Sequence, residues 1–194
     1  MCGIAGYSVL SAGCLASSNL KSAASLLAHR GPDDSGFFED QDSGIGIVHT
    51  RLSIQDPSPL GHQPMLSPDG RVVVAFNGEI YNFRELRSRL ESNGANFIGN
   101  SDTEVLLHLY LAWRESGDNL DDFWARINGI FAVAIWDAEL DCLLLVRDAQ
   151  GVKPLYFASD LNLFAFASEI KALMPFVGGL HPLDAASIDS YISY

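Results

Sequence analysis

Apolar, β-prone residues recur in short runs at 4–10, 44–52, 71–76, 129–136, 142–147 and 163–167, most of them closed by Gly, Asn or Asp. That is the pattern of strands bounded by turns. Several runs, Val72-Val73-Val74-Ala75-Phe76 among them, are apolar at both alternating positions, which predicts layered sheets covered on both faces rather than one half-wet sheet. Helical spacing appears between them. Asn82 followed by Glu85 reads as a capping box opening a helix over 83–90, with Phe83, Leu86 and Leu90 on one face. Ser101 with Glu104 repeats the device for 102–115, where Leu106, Leu109 and Trp113 form a stripe. A weaker helix is predicted over 20–29, and others over 168–174 and from Asp184 onward. In the last of these Ile188, Tyr191 and Ile192 keep helical spacing with no Gly, Asn or Pro stop, which predicts an element that continues past 194. No repeat, low-complexity tract or long linker intervenes. One domain is therefore expected over 1–180, with 181–194 as the helical start of a connection to a further domain.

Composition narrows the partners. The chain of 194 residues, 48% apolar, can bury one sizeable core. A formal net charge of -12 opposes the phosphate backbone and the anionic membrane surface, so neither nucleic acid nor membrane is an expected partner. Three cysteines, Cys2, Cys14 and Cys142, are an odd number at no metal-like spacing, which suits a reducing, cytoplasmic location and implies no zinc site. The mild apolar stretch from Ile4 to Leu15, with Ser11-Ala12-Gly13-Cys14 faintly like a lipoprotein cleavage site, lacks any Lys or Arg before Lys21 and is diluted by Gly and Ser, so export is not expected. No run of about 20 apolar residues is present to cross a bilayer. His29, His49, His62, His108 and His181 include no i, i+4 pair, and no metal is assigned to them. Cys142, inside an apolar run, is expected to be buried, and Cys14 to be a free thiol in a loop. Lys153 after Gly151 lacks a full glycine-rich phosphate cradle and is expected in a turn.

The chemistry begins at Met1-Cys2-Gly3-Ile4-Ala5-Gly6. A Cys side chain is small enough to permit removal of the initiator Met, which places a thiol beside a free α-amine. With ordinary pKa values of about 8.5 for the thiol and about 7.7–8.0 for the amine, the amine can take the thiol proton near neutral pH. On this hexapeptide alone, Cys2 reads equally as a small hydrophobe opening a strand. Arg51, closing an apolar run in His49-Thr50-Arg51-Leu52-Ser53-Ile54-Gln55, offers a planar fork suited to a carboxylate. In Phe76-Asn77-Gly78-Glu79-Ile80-Tyr81-Asn82 the Asn77 side chain and the Gly78 N–H form a candidate oxyanion hole, and Glu79 with Asp102 can hold an ammonium group. Plainer readings exist: Asn-Gly is a hairpin-turn signal, and Asp102 sits where a carboxylate complements a helix dipole.

Taken in order, Met1-Cys2-Gly3-Ile4, Arg30-Gly31-Pro32-Asp33, Arg51-Leu52-Ser53-Ile54, Gly61-His62-Gln63-Pro64-Met65, Phe76-Asn77-Gly78-Glu79-Ile80-Tyr81-Asn82 and Ser101-Asp102-Thr103-Glu104 resemble class II glutamine amidotransferases, most of all the glutamine-hydrolysing asparagine synthetase branch. Segments 129–137, 153–157 and 167–173 extend the resemblance over essentially the whole chain. It implies an α+β fold of the N-terminal nucleophile hydrolase type, a four-layer αββα sandwich of two antiparallel sheets between helical layers. It further implies that Cys2 attacks the side-chain amide of L-glutamine and releases ammonia through a glutamyl thioester. Asn77 and Gly78 would stabilise the oxyanion, Arg51 would clamp the α-carboxylate, and Glu79 and Asp102 would hold the α-amine. Leu52, Ser53, Ile54 and Gln55 would line the pocket mainly through backbone.

No cofactor is implied for this domain. ATP and magnesium are expected only in a C-terminal synthetase domain, whose Ser-Gly-Gly-Leu-Asp-Ser type pyrophosphate loop does not occur in these residues. The expected partners are L-glutamine and that synthetase domain, with a homodimer left open. Ala149 and Gln150 stand where the family pattern commonly has Arg and Phe, a departure that bears on the acceptor domain rather than on hydrolysis. Glucosamine-phosphate and phosphoribosylamine relatives typically follow the binding Arg with Trp or Tyr and a Gly-containing run, unlike Arg51-Leu52-Ser53-Ile54-Gln55-Asp56. The alternative from another class is a non-catalytic scaffold domain serving an ATP-dependent synthetase, which the presence of Cys2 opposes.

Overall fold

The structure is a computed structural model that describes residues 1–10, 15–117, 119–178 and 184–193. Along the chain run β1 (Gly3–Val9), α1 (Ser17–Leu27), β2 (Asp34–Asp40), β3 (Ile45–Arg51), β4 (Met65–Leu66), β5 (Val72–Ile80), α2 (Phe83–Ser92), α3 (Asp102–Ser116), α4 (Leu120–Ala125), β6 (Gly129–Asp137), β7 (Cys142–Arg147), β8 (Tyr156–Ser159), β9 (Leu163–Ala167), α5 (Met174–Val177) and α6 (Ala185–Ser193). The strands form two sheets, in the orders β2-β3-β1-β9-β8 and β4-β5-β6-β7. Every pairing in them is antiparallel.

Strand alternation sorts the apolar residues into three layers. On β5 and β6, Val72, Val74, Phe76, Phe131, Val133 and Ile135 face α2, α3 and α4 and pack with Leu86, Leu90, Leu106, Tyr110 and Phe123. The intervening Val73, Ala75, Ala132, Ala134 and Trp136 face the other sheet and meet Ile4, Ile45, Ile47 and Phe166. On the outer face of the five-stranded sheet, Ala5, Tyr7, Val48, Ala165 and Ala167 pack under α1 and α5 through Leu20, Ala23, Leu27 and Phe176. The order helix, sheet, sheet, helix is the expected four-layer sandwich, and the doubly apolar β5 is covered on both sides as its sequence requires.

Local expectations failed where tertiary contacts took over. Asn82 does not cap α2. Its side chain instead donates to the Arg126 carbonyl and accepts from the Asn128 amide, tying the start of α2 to the loop before β6. Ser101 does cap α3, accepting from the Glu104 amide. Glu104, however, turns away from the reciprocal bond and accepts from the amides of Ile98 and Gly99. The helix expected over 168–174 is a single 3-10 turn at Ile170–Ala172 followed by α5. The reason is that Ser168 continues the pairing with Ile4 and Glu169 remains extended, so the chain cannot coil earlier.

Cys142 is exposed, not buried, because it opens the edge strand β7. The strand β2, too polar to read from sequence, forms by full pairing against β3 from Asp34↔Arg51 to Asp40↔Ile45. The predicted terminal helix is present as α6, with Asp184 accepting from the Ser187 amide and with Tyr191 and Ile192 exposed. Cys14, His181 and the proposed boundary at 180/181 lie outside the described residues. Among those residues no helix is long and apolar enough to cross a membrane.

Candidate active site

The inter-sheet layer changes character at one end. On β3, Ile45 and Ile47 are followed on the same face by His49 and Arg51, and on β5, Val73 and Ala75 are followed by Asn77 and Glu79. Cys2 stands two residues before the inter-sheet residue Ile4. The apolar filling thus gives way to polar groups around a cavity of about 100 Å³, lined among others by Cys2, Arg51, Leu52, Ile54, Gln55, Asn77, Gly78, Glu79 and Asp102. Of the ten residues predicted for the site, only Ser53 is not in that lining; its amide donates to Asp33 Oδ2 at 2.7 Å and so anchors the segment from behind.

Cys2 Sγ lies 3.4 Å from the Leu52 amide nitrogen, which donates to it, and 3.7 Å from the Leu52 carbonyl oxygen. The Cys2 carbonyl accepts from Arg30 Nε at 2.9 Å, and Arg30 is held in turn by Glu169 at 3.0 Å. Glu169 also meets His29 and Lys171. Although burial opposes its ionisation, the hydrogen bonds from Arg30, Lys171 and His29 hold its carboxyl down to about 2. The main chain of Cys2 is therefore fixed by a cation–carboxylate cluster that sequence reading had not assigned.

Arg51 is buried and spends its fork on the protein itself, donating to the carbonyls of Ser58 (3.1 Å), Gln55 (3.3 Å) and Asp56. It thereby shapes the loop after β3 into a wall of the cavity. A guanidinium has five N–H donors, so donors remain for a carboxylate entering the cavity.

Asn77 is buried, and among the described residues its Nδ2 has no hydrogen-bond partner. An orphaned buried amide donor costs roughly 1–3 kcal/mol. Here it lines the cavity that holds the thiol, which suits a donor waiting for a developing oxyanion. The hairpin reading of Asn77-Gly78 is excluded, because both residues lie inside β5, paired with Ala132 and Phe131.

Asp102 opens α3 and accepts from the Ile80 amide at 3.0 Å. Burial pushes its carboxyl up to about 6, opposed by hydrogen bonds from the Ile80 amide and its own helix turn, with the nearby Glu79 charge raising it further. Two carboxylates thus stand at one wall, Asp102 buried and Glu79 exposed. Gln63 and Thr103, also in the lining, were not assigned from sequence; a lone Gln in a Pro-containing loop carries no periodic signal. Among the described residues no group of three or more His, Cys, Asp or Glu is placed to hold a metal ion.

The sandwich and its thiol-bearing mouth have the architecture of N-terminal nucleophile hydrolases. A family model described as "Glutamine amidotransferase domain" matches residues 1–194, and the chain belongs to that family. It is 38% identical over 175 residues to asparagine synthetase [glutamine-hydrolyzing] 1 of Bacillus subtilis, covering 90% of this chain and 26% of the relative. It is 42% identical over 176 residues to asparagine synthetase [glutamine-hydrolyzing] 2 of the same organism, covering 89% and 22%. A fungal relative, amidase chry2 of Gibberella zeae, is 36% identical over 163 residues. The chain thus spans about a quarter of the length of these relatives. Among solved structures, the glutamine phosphoribosylpyrophosphate amidotransferase of B. subtilis superposes with a TM-score of 0.70 over 88% of this chain and 42% of its own, at 22% identity, a likeness of fold.

Proposed function

We propose that this chain is the glutamine-hydrolysing domain of an asparagine synthetase-like amidotransferase, releasing ammonia for a synthetase domain that lies beyond these residues. The observation that carries the reading is the orphaned Asn77 amide in the cavity that also holds the Cys2 thiol, Arg51 and the Glu79–Asp102 pair. Family membership and the asparagine synthetase relatives support it.

Once Met1 is removed, the Cys2 α-amine takes the thiol proton, and Sγ attacks the side-chain carbonyl carbon of glutamine. The oxyanion accepts hydrogen bonds from Asn77 Nδ2 and the Gly78 N–H. Collapse returns the proton from the ammonium to the leaving nitrogen, and ammonia departs as the C–N bond breaks. Water, deprotonated by the same amine, then cleaves the thioester to glutamate and free thiol. Arg51 binds the α-carboxylate, Glu79 and Asp102 the α-ammonium, and residues 52–55 wall the pocket. This half needs no cofactor; ATP and magnesium belong to activation of the acceptor in the other half. The reaction takes place in the cytoplasm.

The test is ammonia release from glutamine by Met1-processed protein beside Cys2→Ala, with mass spectrometry confirming the free Cys2. Release by the parent and not by the variant is expected. No release despite a free Cys2 would overturn autonomous glutaminase activity in favour of a scaffold domain.

A further inference from the structure

The strand β4 is two residues long, and its pairing with β5 ends at Met65↔Val74. Past that point β5 keeps β6 on one edge and, among the described residues, has no strand on the other. The peptide groups of Phe76 are completed there by side chains. Its N–H donates to Gln63 Oε1 at 2.7 Å, and its carbonyl accepts from His49 Nε2 at 3.1 Å. A carbonyl only accepts, so Nε2 carries the ring proton. Burial drives the ring's pKa down to about 4 and keeps it neutral, which leaves Nδ1 as a lone pair without a partner among the described residues. Gln63 Nε2 then donates to Thr103 Oγ1 at 3.1 Å.

A longer β4 would satisfy the same Phe76 groups. Side chains do something a strand would not: they join three separate segments of the site. His49 is two residues before Arg51 on β3, Phe76 directly precedes Asn77 on β5, and Thr103 directly follows Asp102 on α3. All of these side chains are buried, where hydrogen bonds hold position against little competition from water.

We propose that His49 and Gln63 are positioning residues of the glutamine site, holding the two main-chain polar groups of Phe76, one in the peptide before it and one in the peptide that joins it to Asn77, so that the Asn77 amide stands fixed where the oxyanion forms. The proposal rests on the reading of Asn77 as an oxyanion donor. A donor displaced by a fraction of an ångström loses transition-state stabilisation while ground-state binding, made through Arg51, Glu79 and Asp102, is largely kept.

The test is glutaminase kinetics on Met1-processed protein carrying His49→Leu, His49→Gln or Gln63→Met, each alone and combined with Asn77→Ala, with thermal melting of every variant. His49→Leu and Gln63→Met are expected to lower kcat by about 10-fold or more with KM held within about twofold. His49→Gln, whose amide nitrogen can donate in place of Nε2, should recover most of the loss. In the Asn77→Ala background both substitutions should add little, because they act through the residue already removed. Equal fold losses in both backgrounds, or an unchanged kcat, would overturn the positioning role. An Asn77→Ala variant with parental kcat would instead sink the oxyanion reading itself. Should His49→Leu melt below the assay temperature, Gln63→Met, acting on the other main-chain polar group of Phe76, carries the test.

Discussion

Cys2 Sγ is held against the Leu52 peptide, 3.4 Å from its nitrogen, and Leu52 directly follows the arginine whose fork binds the next turn of the same loop. Arg51 thus shapes the loop whose Leu52 amide meets the thiol, while Arg30 holds the Cys2 carbonyl from the other side. Arg51→Lys replaces a planar fork by a point charge that cannot reach the carbonyls of Gln55, Asp56 and Ser58 together. The expected outcome is a fall in kcat/KM for glutamine of about 10-fold or more, about 1.4 kcal/mol, with an altered rate of Cys2 alkylation read by mass spectrometry. Unchanged alkylation and kinetics would show that the loop holds itself.

Asn77→Ala removes the only side-chain donor proposed for the oxyanion while leaving in place the groups proposed to bind the α-carboxylate and the α-ammonium. The expected effect is a loss of about 100- to 1,000-fold in kcat with KM little changed. Because Nδ2 has no hydrogen-bond partner among the described residues, the same variant should melt no lower than the parent. A raised KM with parental kcat would place Asn77 in substrate binding instead.

Asp102 makes a pH-dependent prediction of definite sign. Its folded pKa, near 6, lies above the ordinary 3.8, so between those values the folded state holds a proton that the unfolded state has lost. Its contribution to stability therefore falls as pH rises from about 4 to about 6 and stays low above that. Asp102→Asn, which keeps an acceptor for the Ile80 amide, should melt higher than the parent at pH 7.5 and gain less at pH 4. Glutamine binding has the opposite sense: the ammonium prefers ionised Asp102, so KM in the parent should rise as pH falls below 6. A KM flat across pH 5–7 would remove Asp102 from the ammonium site.

Gly61 touches the back of Arg51. A Cβ there would stand inside contact distance of Arg51 Nη2 and 2.7 Å from the Asp56 carbonyl oxygen. Gly61→Ala should destabilise by about 1–3 kcal/mol through overpacking and should weaken glutamine binding by displacing the guanidinium. Urea unfolding and KM measured together check this, and a parental KM would show that the loop moves as a unit.

Apolar runs closed by turn residues located β1, β3, β5, β6, β7 and β9, and helical spacing with capping signals located α2 and α3, because strands buried on both faces read as continuous apolar runs and helices with one apolar stripe display a 3.6 period. The same residues carried the chemical types of the site: a thiol at position 2, a fork at 51, an amide beside a glycine at 77–78 and a carboxylate at a helix start. Their resemblance in order to known amidotransferase motifs supplied the roles. Edge strands β2 and β8 were illegible because their exposed faces leave no alternation to read, and Cys142 was misplaced because an apolar run does not say which strand will lie at a sheet's rim. Only the tertiary structure decided that Asn82 ties loop to helix rather than capping it, that Glu169 steadies Arg30 behind Cys2, and that His49 and Gln63 stand in for the missing length of β4. Those contacts join residues 13 to 139 positions apart, and partners so distant in sequence are chosen by how two sheets stack, which no local pattern records.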